Sequence, residues 1–353
     1  MRTRSSSLAP HLIRAALALG LAAGLPACAT DGDELPDEST LTSQVDELIG
    51  TPCGGVTCAR SRVVRVRDTY MHYREAGNRN GPPILLLHGQ PTWSYLYRNI
   101  IPRLPPDAHI IAPDAVGYGL SGKPDIGYSW QEHIDYMTSF IEALRLRDVT
   151  LVVHDFGSFE GLAYAANHPD NVRGIVMMES IAAPLPPLDV FGGMFPPGSP
   201  TADFAQFLIT VKTDPAAAER LIVDENIFVE KLLQDFIVRP LTRNELNAYR
   251  LPFRTRESRV KMIAIPLGAP AGGVPADNHA IVSAYAGYLA TSSVPKLILY
   301  GDTGLIMPPP VANQLAQAFP NTRTESIGQG IHFLQEDHPV EIADAITRFY
   351  RGL

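Results

Sequence analysis

The segment Val149–Ser158 constrains this 353-residue chain more than any other. A mostly apolar run, Val149 to Val153, ends in His154 and Asp155, and Phe156, Gly157 and Ser158 open the next segment. A short apolar run bounded by a turn reads as a strand buried on both faces. A strand that feeds through a sharp turn into a helix belongs to a parallel sheet, and the turn presents one side chain at its tip. Here that side chain is the carboxylate of Asp155. A carboxylate is ionised at neutral pH and needs no base to become a nucleophile. Attack on an electrophilic carbon would leave an ester that water must then hydrolyse. Aspartate is also favoured at helix N-caps, so the segment alone leaves both roles open.

Its surroundings add weight. Ile84-Leu85-Leu86-Leu87 is a second apolar strand running into the turn His88-Gly89-Gln90-Pro91. Gly328-Gln329-Gly330-Ile331-His332-Phe333 places a histidine in a Gly-rich loop ahead of a helix over roughly Pro339 to Tyr350. A lone loop histidine is usually just exposed, but His332 follows the carboxylate in the order a nucleophile–acid–histidine set requires. A coarse pass gives an alternating strand pair from Arg62 to Glu75. Strands follow at Ile84–His88, His109–Pro113, Val149–His154, Gly174–Glu179, Lys296–Tyr300 and Thr324–Ile327, with helices near Gln131–Leu144 and Ser158–Asn167. Strands alternating with helices predict an α/β chain with a mostly parallel sheet covered on both faces. Regularity breaks where Pro184, Pro186, Pro187, Pro196, Pro197 and Pro200 punctuate the sequence, and helical patterns such as Ile227–Phe236 and Glu245–Arg250 follow.

Several long motifs carry a resemblance. They are the run from His88 to Pro102, Ile111-Ala112-Pro113-Asp114, Gly119-Leu120-Ser121-Gly122-Lys123-Pro124, His154-Asp155, Met178-Glu179 and His332-Phe333-Leu334-Gln335-Glu336-Asp337, with Val238–Thr242 and Tyr249–Phe253 between them. In this order, from about Arg62 to the C-terminus, they resemble the haloalkane dehalogenases of the α/β-hydrolase fold. The resemblance implies a core of residues 62–182 and 294–353 and an inserted, mainly helical cap of residues 183–293. It implies Asp155 as nucleophile, His332 as general base and Glu179, after the sixth strand, as the acid that orients the histidine. Asp302 follows the seventh strand too early for that acid role in other branches. The backbone N–H groups of Gln90 and Phe156 would hold the oxyanion. The implied reaction is hydrolysis of a small hydrophobic halogenated substrate by water to alcohol and halide, with no cofactor and no metal.

Two positions depart from the family pattern. Its members commonly place a tryptophan directly after the nucleophile to hold the departing halide, and this chain has Phe156. The second donor is an asparagine in the turn after the strand, or a cap tryptophan; here the turn residue is Gln90, and Trp93 and Trp130 both fall outside the cap. Gln90 can still donate, but its extra methylene moves the amide. Two other functions stay open on the sequence. An epoxide hydrolase uses the same aspartyl ester but needs tyrosine donors from the cap, where Tyr249 is the one candidate before Arg259. A binding protein on the same fold would not need Asp155, Glu179 and His332 together.

Composition narrows the partners. A net charge of −8, with no basic stripe, argues against nucleic acid. Arg2, Arg4 and Arg14 precede an apolar run from Ala15 to Leu25, which reads as a signal peptide over residues 1–27 and too short to span a bilayer. Leu25-Pro26-Ala27-Cys28 resembles a lipobox, with Cys28 as lipid anchor, while Ala27-Cys28-Ala29 also fits ordinary cleavage. Either processing predicts an exported protein, periplasmic or membrane-anchored. Residues 28–61 read as an acidic polar spacer, with Thr30 to Glu47 as a tether. Cys53 and Cys58 flank Gly54-Gly55; in an exported chain their closeness predicts a disulfide, though two free thiols remain the alternative.

Overall fold

The computed structural model describes residues 35–49 and 58–353. Eight strands form one sheet in the order β1-β2-β4-β3-β5-β6-β7-β8. They are β1 (Arg60–Val66), β2 (Thr69–Gly77), β3 (Pro83–Leu87), β4 (His109–Pro113), β5 (Val149–Asp155), β6 (Val172–Ser180), β7 (Lys296–Tyr300) and β8 (Thr322–Ser326). Strand β2 runs antiparallel to β1 and β4, and every other pairing is parallel. Each residue of β3 is buried, and so is each residue of β5 before Asp155. That is why both read as unbroken apolar runs rather than alternations. Ile84, Leu86, Val152, Val176, Met178 and Leu299 share one core with Ile342, Ile346 and Phe349 of the C-terminal helix. Each such side chain, fully withdrawn from water, contributes roughly 1.5–3 kcal/mol.

Helix α1 (Glu38–Ile49) corrects the tether expected over Thr30–Glu47 from Glu38 onward, while residues 30–34 lie outside the described residues. Its Glu38 carboxylate accepts from the Val63 N–H at 3.1 Å and pairs with Arg62 at 2.6 Å. The Thr42 hydroxyl accepts from the Ser61 N–H at 3.1 Å, and Val45 is buried. An acidic, aromatic-poor composition concealed a helix whose one face fits β1. Cys58 is disulfide-bonded. Cys53, its expected partner, lies outside the described residues, as do Cys28 and the whole signal-peptide assignment. Among the described residues no helix is long and apolar enough to cross a membrane.

Two helices flank the elbow: α2 (Trp130–Ala143) and α3 (Gly157–Asn167). Ser129 and Glu132 cap α2 reciprocally, which fixes where that helix starts. Between β6 and β7 the chain runs through short helical segments, including Leu188–Gly193, Pro200–Thr213 and Arg243–Arg250. The final one, Ala276–Thr291, packs on α3, and its Tyr285 hydroxyl donates to the Ile181 carbonyl at 2.6 Å. It serves as the crossover helix into β7, so the part of the insert that roofs the site is shorter than residues 183–293.

Candidate active site

The site lies where the C-terminal ends of β3, β5 and β6 meet the loop after β8, the usual place in a parallel sheet. Asp155 has φ = 50° at the elbow, a left-handed value uncommon for a non-glycine residue. The loop after β3 presses against it. A Cβ on Gly89 would lie 2.2 Å from the Asp155 Cβ, so glycine is what lets the Gln90 N–H reach the Asp155 Oδ1 at 2.8 Å. That loop is held from behind by His88. Its Nδ1–H donates to the Gly89 carbonyl at 3.1 Å, and its Nε2 accepts from the Ala115 N–H at 3.0 Å. Those two bonds require the neutral ring, and burial accordingly lowers its pKa.

His332 Nε2 stands 3.4 Å from the Asp155 Oδ2, and His332 Nδ1 stands 3.1 Å from the Glu179 Oε2. Glu179 is the penultimate residue of β6 and has φ = 44°. Its Oε2 accepts from the N–H groups of Leu305 and Ile306 at 3.0 and 2.7 Å, and its Oε1 from that of Met307 at 3.3 Å. Three backbone donors hold this buried carboxylate in one orientation. Asp302 is exposed and accepts from the Ser326 hydroxyl at 2.7 Å, away from His332. The structure thus brings together Asp155, His332, Glu179 and Gln90, and leaves Asp302 outside.

Charge follows from this geometry. Burial alone would lower the His332 pKa, but hydrogen bonds and charge from Asp155 and Glu179 outweigh it and raise it to about 9. Burial would raise Asp155, yet His332 and the Phe156 N–H hold it below the usual carboxylate value. The resting site is therefore an imidazolium between two carboxylates. Neighbouring His154 is neutral, pushed down to about 3 by burial and then by His332. Its Nε2–H donates to the His332 carbonyl at 3.0 Å.

The insert grips the same loop. The Phe236 carbonyl accepts from the N–H groups of His332 and Phe333 at 3.1 and 3.3 Å. Asp337 accepts from the N–H groups of Val238 and Arg239 at 3.0 and 2.9 Å. Glu336 takes both arms of Arg98, at 2.6 and 2.9 Å, as well as Arg239 and the Tyr249 hydroxyl. The histidine loop and the roof are thus fixed as one piece.

Above Asp155 is a cavity of ≈ 80 Å³. Apart from Gln90, Trp130, Asp155 and His332 its lining is apolar, with Phe156, Phe191, Phe204, Phe228, Phe236 and Phe333 among the walls. Trp130, which its place outside the cap had set aside, is one of those walls. Its N–H does not point a donor at the cavity, because it is bonded to the Ile265 carbonyl at 3.3 Å. No tyrosine is among the lining residues described, and the Tyr249 hydroxyl is committed to Glu336. The cap donors an epoxide hydrolase requires are therefore missing from the described wall. Among the described residues no cluster of side chains suits a metal ion.

An aspartate at a strand–helix elbow, beside a buried His–Glu pair and under a helical roof, defines an α/β-hydrolase. Residues 82–339 match the family described as alpha/beta hydrolase fold. The chain is 40% identical over 289 residues to a haloalkane dehalogenase of Bradyrhizobium diazoefficiens, covering 81% of this chain and 91% of that protein. It is 37% identical over 297 residues to one from Mesorhizobium japonicum, covering 83% and 90%. Among solved structures, the haloalkane dehalogenase DbeA from Bradyrhizobium elkani superposes with a TM-score of 0.79 at 36% identity, covering 83% of this chain and 98% of that one. The chain belongs to the haloalkane dehalogenase family.

Proposed function

We propose that this protein hydrolyses the carbon–halogen bond of small apolar haloalkanes through an ester on Asp155. The observation that carries the reading is the Asp155–His332–Glu179 arrangement at the floor of a cavity whose walls are otherwise almost wholly apolar. A carboxylate oxygen of Asp155 attacks the carbon from the side opposite the halogen. The C–O bond forms, the C–X bond breaks, and halide leaves with the electron pair. An apolar wall strips water from the nucleophile and holds the two reactants in line, which supplies much of the rate.

Ester formation also resets the histidine. The Asp155 charge disappears, so one of the two interactions that raise the His332 pKa is lost and the ring can give up its proton. The neutral imidazole then takes a proton from water, and hydroxide adds to the ester carbon. The N–H groups of Gln90 and Phe156 hold the resulting oxyanion. Collapse expels the alkoxide, which takes the proton from His332 and leaves as alcohol. Asp155, left as the acid, passes its proton to His332, which restores the resting imidazolium, so that one proton is released per turnover. Glu179 keeps the imidazole oriented and balances its charge.

The test is a panel of chloro-, bromo- and iodoalkanes beside matched epoxides, with halide release and diol formation both followed. Halide release without diol is expected; diol without halide would make this an epoxide hydrolase. Export is part of the proposal, on the Arg-flanked apolar run before Cys28. Fatty-acid labelling that disappears in Cys28→Ser would assign the anchor, and an unprocessed N-terminus on cytosolic protein would refute export.

A further inference from the structure

Among the described residues Gln90 is the one amide side chain on the cavity wall, and its orientation is determined by what surrounds it. Its Nε2 lies 3.2 Å from the Met262 carbonyl and its Oε1 lies 2.6 Å from the Tyr118 hydroxyl. A carbonyl oxygen only accepts, so the amide nitrogen must face Met262. The amide oxygen must then face Tyr118, whose O–H donates to it. A flipped amide would set its oxygen against the Met262 oxygen. Tyr118 is fully buried and wedged between Phe156 and Phe253, with ring centroids 5.1 and 5.8 Å away. Its ring cannot turn its hydroxyl elsewhere without displacing those neighbours. Met262 takes one of the two Nε2 hydrogens. Among the described residues no acceptor takes the second, and Gln90 and Asp155 line the same cavity.

We propose that Tyr118 is a positioning residue for the leaving group: its hydroxyl occupies the Gln90 carbonyl oxygen and so presents the Gln90 N–H, rather than that oxygen, to the departing halide. The inference rests on the dehalogenase reading above and accounts for how a site with Phe156 after the nucleophile keeps a donor. Without the Tyr118 hydroxyl the amide oxygen is left buried and unsatisfied. The amide then keeps only the Met262 bond to hold its orientation, and an amide oxygen that turns toward a halide repels it.

Bromide binding to the full protein tests this without any turnover, by calorimetric titration of wild type, Tyr118→Phe, Gln90→Met and the double variant. Losing one hydrogen bond to a charged group corresponds to about tenfold to hundredfold weaker binding. We expect Tyr118→Phe to weaken bromide about tenfold and Gln90→Met at least as much. The double variant should be no weaker than Gln90→Met alone, because Tyr118 acts only through the amide. Turnover should move with it: Tyr118→Phe should slow chloroalkanes several-fold more than iodoalkanes, while hydrolysis of the preformed ester keeps its rate. Unchanged bromide affinity in Tyr118→Phe, fully additive losses in the double variant, or a wild type that binds no bromide would each overturn the inference. So would an equal slowing of all three halides, which marks Tyr118 as packing alone. Wild type that binds bromide yet releases none from any haloalkane sinks the dehalogenase reading and leaves the bromide result standing by itself.

Discussion

The two sides of the cavity are built on different principles. On the nucleophile side nearly every polar atom has a fixed partner: Asp155 meets the Gln90 N–H and His332, and Glu179 meets His332 and three backbone N–H groups. On the leaving-group side stand phenyl rings and one amide whose own fixing comes from Tyr118 and Met262. One side is over-determined by backbone; the other hangs on a chain of two side chains. The first should fail all at once when touched, and the second should be graded and open to improvement.

The largest effect should come from the nucleophile. Asp155→Ala should lower turnover by ~10⁵–10⁶, the scale seen when an attacking group is removed. His332→Phe should stall the reaction at the ester, and intact-mass measurement after a bromoalkane is added should find one alkyl group on the Asp155 peptide. An alkyl group elsewhere, or turnover surviving in Asp155→Ala, would dissolve the contrast between the two sides.

Next comes the acid. Glu179→Gln keeps the shape but removes the charge that balances the imidazolium, and should cost ~10²–10⁴ in turnover. Asp302→Asn should stay within about twofold, since that carboxylate touches Ser326 and not His332. Reversed ranking would move the acid to the seventh strand.

How far this division was legible beforehand depends on what carries each part. The nucleophile side is made of turn residues next to strands, and turns leave local marks: Gly89 before Gln90, Asp155 at the end of an apolar run, His332 among glycines. The motif from His332 to Asp337 and that from Val238 to Thr242 also proved to touch, through Asp337, Glu336 and Arg239. The leaving-group side depends on which distant side chains converge, and no local mark records that. Tyr118 lies 28 positions from the amide it meets, and Trp130 reaches the cavity from the first turn of α2. Helix α1 was missed for a related reason: acidic composition suits a tether, and only the fit of Glu38, Thr42 and Val45 to β1 shows otherwise.

A smaller effect should appear at Phe156. Phe156→Trp adds an indole N–H where the rings of His88, Tyr118 and His133 crowd the site, with centroids 5.5, 5.1 and 5.5 Å away. If the added donor reaches the halide, bromide should bind about tenfold more tightly and chloroalkanes should gain more than iodoalkanes. Overpacking should lower stability by ~1–3 kcal/mol at the same time. A variant that is less stable with no gain for any halide would mean that the leaving-group side is as closed to change as the nucleophile side.

The smallest effect concerns stability on the nucleophile side, and its sign follows from His332. The folded pKa of about 9 lies above the ordinary histidine value of 6.5. A group whose folded pKa is raised stabilises the fold fully below its unfolded pKa, and that contribution disappears as pH rises through the folded value. The stabilising charge here is the imidazolium between Asp155 and Glu179. Wild type should therefore exceed His332→Gln in thermal midpoint by most near pH 6, and the gap should narrow steadily toward pH 9 and above. A change of 1 kcal/mol shifts the midpoint by only ~2–4 °C in a domain of 150–250 residues, and by no more in a longer one, so scans at close pH intervals are needed. Tyr118→Phe supplies the contrast, because its deficit in midpoint should stay flat over the same range. A His332→Gln deficit that stays flat or grows with pH would mean that the resting imidazole is neutral, and that the ester step does not have to lower its pKa.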